Sequence, residues 1–190
     1  MKTIAKPFQT SIDIKKSQFI CRLFPAQSEK EAKEIIKEIS EEYKDATHNC
    51  TAYVVSDGEG FDDDGEPGGT AGRPMLNVLK KNEMENVVAI VTRYFGGIKL
   101  GAGGLIRAYT KSLTETIKEA NFVELVNASI IELTFNYDKI KNIDNIITTT
   151  NSKLLDKSFD NDISYKILVK NDNLDKFSHY NKIKDTITYI

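Results

Sequence analysis

The chain has 190 residues, 40% hydrophobic and 28% charged, with a formal net charge of −2. This composition excludes disorder and collagen-like repeats, and it excludes a globally basic nucleic-acid binder, so any affinity for phosphate must come from cations clustered locally. The longest apolar run, Val87–Val91, falls far short of the ~20 residues that span a bilayer, so no membrane role is expected. The opening MKTIAKPFQTS has no apolar leader core, and two cysteines, Cys21 and Cys50, read as the reduced thiols of a cytoplasmic protein.

Phe8, Ile12 and Ile14 alternate with polar residues, and FICRLF (19–24) follows, which predicts a hairpin. Ser28 with Glu31 three residues later has the form of a capping box. The following Ala32, Ile35, Ile36, Ile39 and Tyr43 fall on one face of a helix. CTAYVV (50–55) reads as a strand, residues 57–72 as a Gly- and acid-rich loop, and Pro74 onwards as a helix. VVAIV (87–91) is apolar and largely β-branched, as a central strand covered on both faces should be. A second Gly-rich loop precedes a helix from about Leu105, with Tyr109, Leu113 and Ile117 on one side.

All 11 Gly lie between Gly58 and Gly104, and Asn becomes frequent after residue 126. The change of texture places a boundary near 122–128 and divides the chain into residues 1–125 and 126–190. The second part reads β-α-β-β-α-β: Ile131, Leu133 and Phe135 alternate, Ile140, Ile143 and Ile147 share a helix face, and strands follow at 154–159 and 163–169. A short helix at 174–180 and a terminal ITYI would close a small ferredoxin-like sheet. The fold class is therefore α/β or α+β, with a mixed sheet in the N-terminal domain.

Two loops carry the chemistry. The first, DGEGFDDDGEPGGTAG (57–72), holds Asp57, Glu59, Asp62, Asp63, Asp64 and Glu66 with no cation before Arg73. Clustered carboxylates suit a hard cation, but an EF-hand register centred on Gly65 would put Gly60 and Ala71 at ligand positions, so no metal is expected. The second loop lies in TRYFGGIKLGAGGLIRAY (92–109). Arg93, Lys99, Arg107 and Lys111 occur between Val87 and Thr114 without a single acid. Glycines before a helix let backbone N–H groups approach an anion, which makes Arg93, Gly96, Gly97, Lys99, Gly101, Gly103, Gly104, Arg107 and Lys111 a candidate anion or nucleic-acid site. A P-loop is excluded, because Ala102-Gly103 stands where Lys-Ser/Thr is required. His48 and Cys50 share a strand face and form a weaker candidate for thiol chemistry. The only other histidine, His179, suggests nothing.

Arginine is scarce: Arg22, Arg73, Arg93 and Arg107 supply few of the 26 basic residues, and three of them flank the two loops. Acid without base in one loop and base without acid in the other predicts that the loops meet. Arg73 or Arg93 should then reach a carboxylate of Asp62, Asp63, Asp64 or Glu66.

KSQFI (16–20), ATHNCTAY (46–53), DDGEPGGTAGRPML (63–76) and VVAIVTRYFGGIKLGAGGLIRAY (87–109) together resemble the signature of the IMPACT/YigZ family. The likeness covers roughly residues 8–120, with Gln18 where Arg is expected and Gly69 where Ser is usual. The tail resembles the small C-terminal domain of bacterial members, itself similar to a late domain of elongation factor G. The resemblance implies that the first domain adopts the superfold shared by a ribosomal-protein domain, an elongation-factor G domain and GHMP kinases. It also implies a link to translation, since eukaryotic relatives regulate translation through a partner of a stress kinase.

The resulting expectation is a non-enzymatic protein, without cofactor, that binds RNA, the ribosome or a translation-regulating protein partner through the Gly-rich basic loop and the adjacent acidic loop. Tyr94, Phe95 and Tyr109 are candidates for stacking on single-stranded bases. The alternative is an enzyme or small-ligand binder acting on a phosphorylated metabolite through the same loop.

Overall fold

The computed structural model describes residues 1–159, 162–177 and 180–188. Its contacts divide the chain into two compact units, Met1–Val123 and Glu124–Ile190.

The first unit is built on a five-stranded sheet. Its strands are β2 (Phe8–Ile14), β3 (Ser17–Pro25), β4 (His48–Val55), β5 (Gly58–Asp62) and β6 (Val87–Tyr94), preceded in the chain by a short β1 (Lys2–Ile4). Spatial order is β2-β3-β6-β4-β5. Every pairing in it is antiparallel, so the expected mixed sheet is corrected. The reason is topological. β3 and β4 are joined through helix α1 (Glu29–Glu42), and β5 and β6 through helix α2 (Gly72–Lys81). In each case another strand lies between the connected pair: β6 between β3 and β4, and β4 between β5 and β6. The helical crossovers therefore join strands that never hydrogen-bond to each other.

β6 explains the cladding of the sheet. Its Val87, Ala89 and Val91 enter one core with Met75 and Leu79 of α2 and with Leu105, Tyr109 and Leu113 of helix α3 (Ala102–Glu119). Its Val88 and Ile90 enter a second core with Ala32 and Ile39 of α1. Period-two alternation thus feeds both faces, which is why no position in VVAIV is polar. Ser28 caps α1, its hydroxyl accepting from Glu31 N at 3.3 Å, while the Glu31 carboxylate accepts from Gln27 N at 2.8 Å. β5 lies inside the segment read from sequence as pure loop. GEGFD pairs along β4, and Gly60 gives room to the Tyr53 ring, 2.6 Å from where a Cβ would stand. A short β7 (Phe122–Glu124) pairs with β1.

The second unit has four antiparallel strands, β8 (Val126–Phe135), β9 (Lys153–Phe159), β10 (Ile163–Lys170) and β11 (Tyr180–Thr188), in the order β11-β8-β10-β9. Helix α4 (Ile140–Thr149) packs Ile140, Ile143, Ile146 and Ile147 on Ile131, Leu133, Ile163 and Ile167. The expected second helix is instead a 3₁₀ segment, Asn171–Lys176. Leu174 and Phe177 are three apart and both pack into this core, a spacing that a three-residue turn satisfies. His179 and the last residues of ITYI, Tyr189 and Ile190, lie outside the described residues. Among the described residues no helix is long and apolar enough to cross a membrane.

Candidate functional site

The two loops meet at one end of the first unit. Asp63–Glu66 form a tight turn in which Glu66 N donates to Asp63 O at 2.9 Å, with positive φ at Asp64 and Gly65. That turn carries the Glu66 side chain inwards until only 3% of it is exposed. Glu66 Oε1 accepts from Arg93 Nη1 at 2.6 Å and from the Tyr109 hydroxyl at 2.8 Å. Acid from the first loop, base from the end of β6 and phenol from α3 thus converge on one oxygen. Burial holds the Tyr109 phenol well above its usual range, so it remains a donor.

His48 stands opposite Arg93 in the β4–β6 register. Its Nδ1 lies 2.7 Å from Asp64 O, an atom that can only accept, so Nδ1 carries the proton. Nε2 then points to Glu66 Oε2 at 3.8 Å, an electrostatic contact too long to be a hydrogen bond.

Asp63 has a separate task. Its Oδ1 accepts from Ala71 N and Gly72 N at 2.9 and 2.8 Å, and its Oδ2 from Gly69 N at 2.7 Å. A remote carboxylate thereby caps α2, whose own N-cap, Ala71, has no side chain to do so. Asp62 Oδ1 accepts from Asp64 N at 2.6 Å, and Asp64 Oδ2 accepts from Asn49 N. The acidic loop is therefore internally bonded, and no group of three potential metal ligands occurs among the described residues.

Several site expectations are corrected. Arg93 is no free cation for an incoming anion: it is 5% exposed and its charge is matched by Glu66. Arg73 is exposed at the start of α2 and makes no ion pair among the described residues. Tyr109 is core and cannot stack on a base, whereas Phe95 is 44% exposed. Gly103 and Gly104 lie in the first turn of α3 and not in the loop; the loop's positive φ values belong to Gly97 and Gly101. Gly96 is required for another reason, because a Cβ there would collide with the Lys16 carbonyl. Cys50 does not form a nucleophilic pair with His48. Its Sγ donates to Asp63 O at 3.1 Å, and burial, reinforced by the nearby carboxylates, pushes the thiol far up.

Lys99, Arg107 and Lys111 remain exposed and without ion-pair partners among the described residues. Arg107 and Lys111, one helical turn apart on α3, line a shallow groove of about 250 Å³ with Lys15 from the β2–β3 turn. Lys15 was missed in the sequence because its proximity to α3 arises only when the sheet forms.

An antiparallel sheet clad by helices, with a buried Arg–Glu–Tyr knot tying two Gly-rich loops together, defines a two-unit α+β protein. The Impact N-terminal domain model matches residues 15–117, and the chain belongs to the IMPACT family. It is 40% identical over 181 residues to "IMPACT family member YvyE" of Bacillus subtilis, covering 94% of this chain and 83% of that protein. It is 32% identical over 160 residues to "IMPACT family member YigZ" of Escherichia coli, covering 82% of this chain and 78% of that one. A crystal structure described as a hypothetical protein superposes with a TM-score of 0.68 at 30% identity, covering 93% of this chain and 88% of its own.

Proposed function

We propose that the protein acts without catalysis in the cytoplasm, as a translation-associated factor that binds RNA or the ribosome through the face formed by α3 and the β2–β3 turn. The observation that carries this reading is the groove of Lys15, Arg107 and Lys111, three exposed cations with no acid paired to them among the described residues, on a protein of net charge −2. Local positive charge of this kind suits phosphate backbone rather than a neutral partner. Lys99 and the exposed Phe95 add a cation and a stacking face nearby in the chain. The reading includes the superfold shared with a ribosomal-protein domain and elongation factor G for the first unit. For the second it includes a ferredoxin-like sheet, to which the order β11-β8-β10-β9 is well suited, with the 3₁₀ segment Asn171–Lys176 in the place of the second helix.

Ribosome and RNA co-sedimentation across a salt series, with and without nuclease, tests it. Wild type should release steeply as salt rises. Arg107→Ala/Lys111→Ala should weaken binding and lower the salt slope by about 0.7 per lost contact to a single strand. Binding that is insensitive to both salt and this double variant points instead to a protein partner and removes the reading.

A further inference from the structure

A cavity of about 420 Å³ opens beside the Arg93–Glu66 pair, lined among others by His48, Glu66, Arg93, Lys99, Gly101 and Ala102. It adjoins the cationic groove, sharing Leu100 with it, and lies within the size range of small-molecule sites. Two features of its walls ask for a ligand. One is the start of α3, an 18-residue helix capped by Gly101 with no side-chain bond to its first amides and no acid in its first turn. Those amides and the Lys99 ammonium favour an anion. The other is the Glu66 side chain, which is 97% buried by complement of its 3% exposure, yet whose Oε2 makes no hydrogen bond among the described residues. His48 Nε2 stands 3.8 Å from it, beyond hydrogen-bond reach. A carboxylate oxygen left without a donor in a partly enclosed space calls for one. Arg93 Nε is buried without a hydrogen-bond partner among the described residues.

We propose that this cavity binds a small phosphate ester bearing a hydroxyl group, with the phosphate on the α3 amides and Lys99 and the hydroxyl donating to Glu66 Oε2. The charges agree with that class. Arg93 and Glu66 cancel, which leaves Lys99 and the helix dipole to attract a net anion. A free sugar phosphate and the 5′-phosphorylated end of an RNA share this chemistry. The proposal does not depend on the groove reading above.

Calorimetric titration with ribose 5-phosphate, propyl phosphate and a short 5′-phosphorylated oligoribonucleotide tests it. Propyl phosphate keeps the anion and lacks the hydroxyls. Wild type should bind ribose 5-phosphate saturably and propyl phosphate at least about tenfold more weakly, because a site built for a hydroxyl rejects the analogue without one. Ala102→Asp places a carboxylate at the first helical position, which favours the helix and repels the phosphate. Its melting temperature should hold or rise while binding falls at least about tenfold. Lys99→Ala should weaken binding in the same direction, and Lys118→Ala, in the last turn of α3, should leave ribose 5-phosphate binding unchanged. Saturable binding of the oligoribonucleotide alone assigns the site to an RNA end; binding of ribose 5-phosphate assigns it to a free metabolite. Absence of saturable binding by every probe, equal affinity for propyl phosphate, or a folded Ala102→Asp protein that binds like wild type overturns the proposal.

Discussion

Arg93 Nη1 lies 2.6 Å from Glu66 Oε1, with 6% and 3% of the two side chains exposed. A pair so buried is a poor source of net stability but a costly one to break by halves. Arg93→Met leaves Glu66 with only the Tyr109 hydroxyl at Oε1, and Glu66→Gln leaves the guanidinium without its counter-charge. Each single change should cost about 3–5 kcal/mol in denaturant unfolding. The double variant Glu66→Gln/Arg93→Met should cost clearly less than the sum, since it buries no lone charge. Additive losses would mean that the two residues act independently and that the knot does not couple the loops.

The sequence made part of this legible. Acid without base at 57–66 and base without acid at 87–114 pointed to loops in contact, and scarce arginine narrowed the partner to Arg73 or Arg93. It could not show that Glu66 would be the residue reached. Before Pro67-Gly68-Gly69 a glutamate reads as solvated, and only the turn at Asp64-Gly65 carries it inside. The Ser28/Glu31 signal and the VVAIV run worked because capping and two-sided burial are local demands. β5 escaped notice because GEGFD has turn composition, and its strand form comes from pairing along β4. The 3₁₀ segment at 171–176 escaped because Leu174 and Phe177 fit three-residue and four-residue turns alike.

Gly96 and Gly97 are adjacent and should respond very differently to alanine. At Gly96 a Cβ would strike the Lys16 carbonyl in the β2–β3 turn, where Lys15 and Lys16 already hold positive φ. Backbone must move, so Gly96→Ala should lower stability by several kcal/mol, on the order of other overpacking changes or above. Gly97 has open space around it and φ of +85°, so Gly97→Ala should cost only about 1–2 kcal/mol of left-handed strain. Chemical denaturation of the two variants checks the order. Equal losses would count against the close approach.

The thiols should make the protein less stable in alkali. Burial pushes Cys21 from 9.0 up to about 12, and it pushes Cys50 in the same direction. In the folded chain these groups keep their protons while the unfolded chain loses them as pH rises past 9.0. Stability should therefore be unaffected by them below that point. Above it, stability should fall by up to about 1.4 kcal/mol per pH unit for each thiol. The loss from Cys21 should level off near pH 12, where the folded-state thiol ionises as well. Cys21→Ala/Cys50→Ala, though less stable at neutral pH from lost packing, should show a shallower alkaline decline. Native-state reaction with a thiol reagent should be slow for both residues and should accelerate in denaturant.

Asp63 and Asp62 are neighbours in the acidic loop and separate its structural from its solvated part. Asp63 takes three amides, from Gly69, Ala71 and Gly72, and so completes the start of α2 across an eight-residue span of chain. Asp62 accepts one amide, from Asp64, at an exposed position. Cap removal typically costs about 1 kcal/mol and at most about 2 for one or two bonds. A carboxylate serving three amides beside a helix N-terminus lies at the upper end of that range. Asp63→Ala should therefore lose about 2 kcal/mol or slightly more, and Asp63→Asn should recover part of it through the retained side-chain oxygen. Asp62→Ala should lose well under half as much. Hydrogen exchange gives the local readout: the Ala71 and Gly72 amides should exchange faster in Asp63→Ala and stay protected in Asp62→Ala. If magnesium or calcium raised the melting temperature of wild type and not of Asp63→Ala, the carboxylate would be a cation ligand first and a helix cap second, and the structural account of this loop would fail.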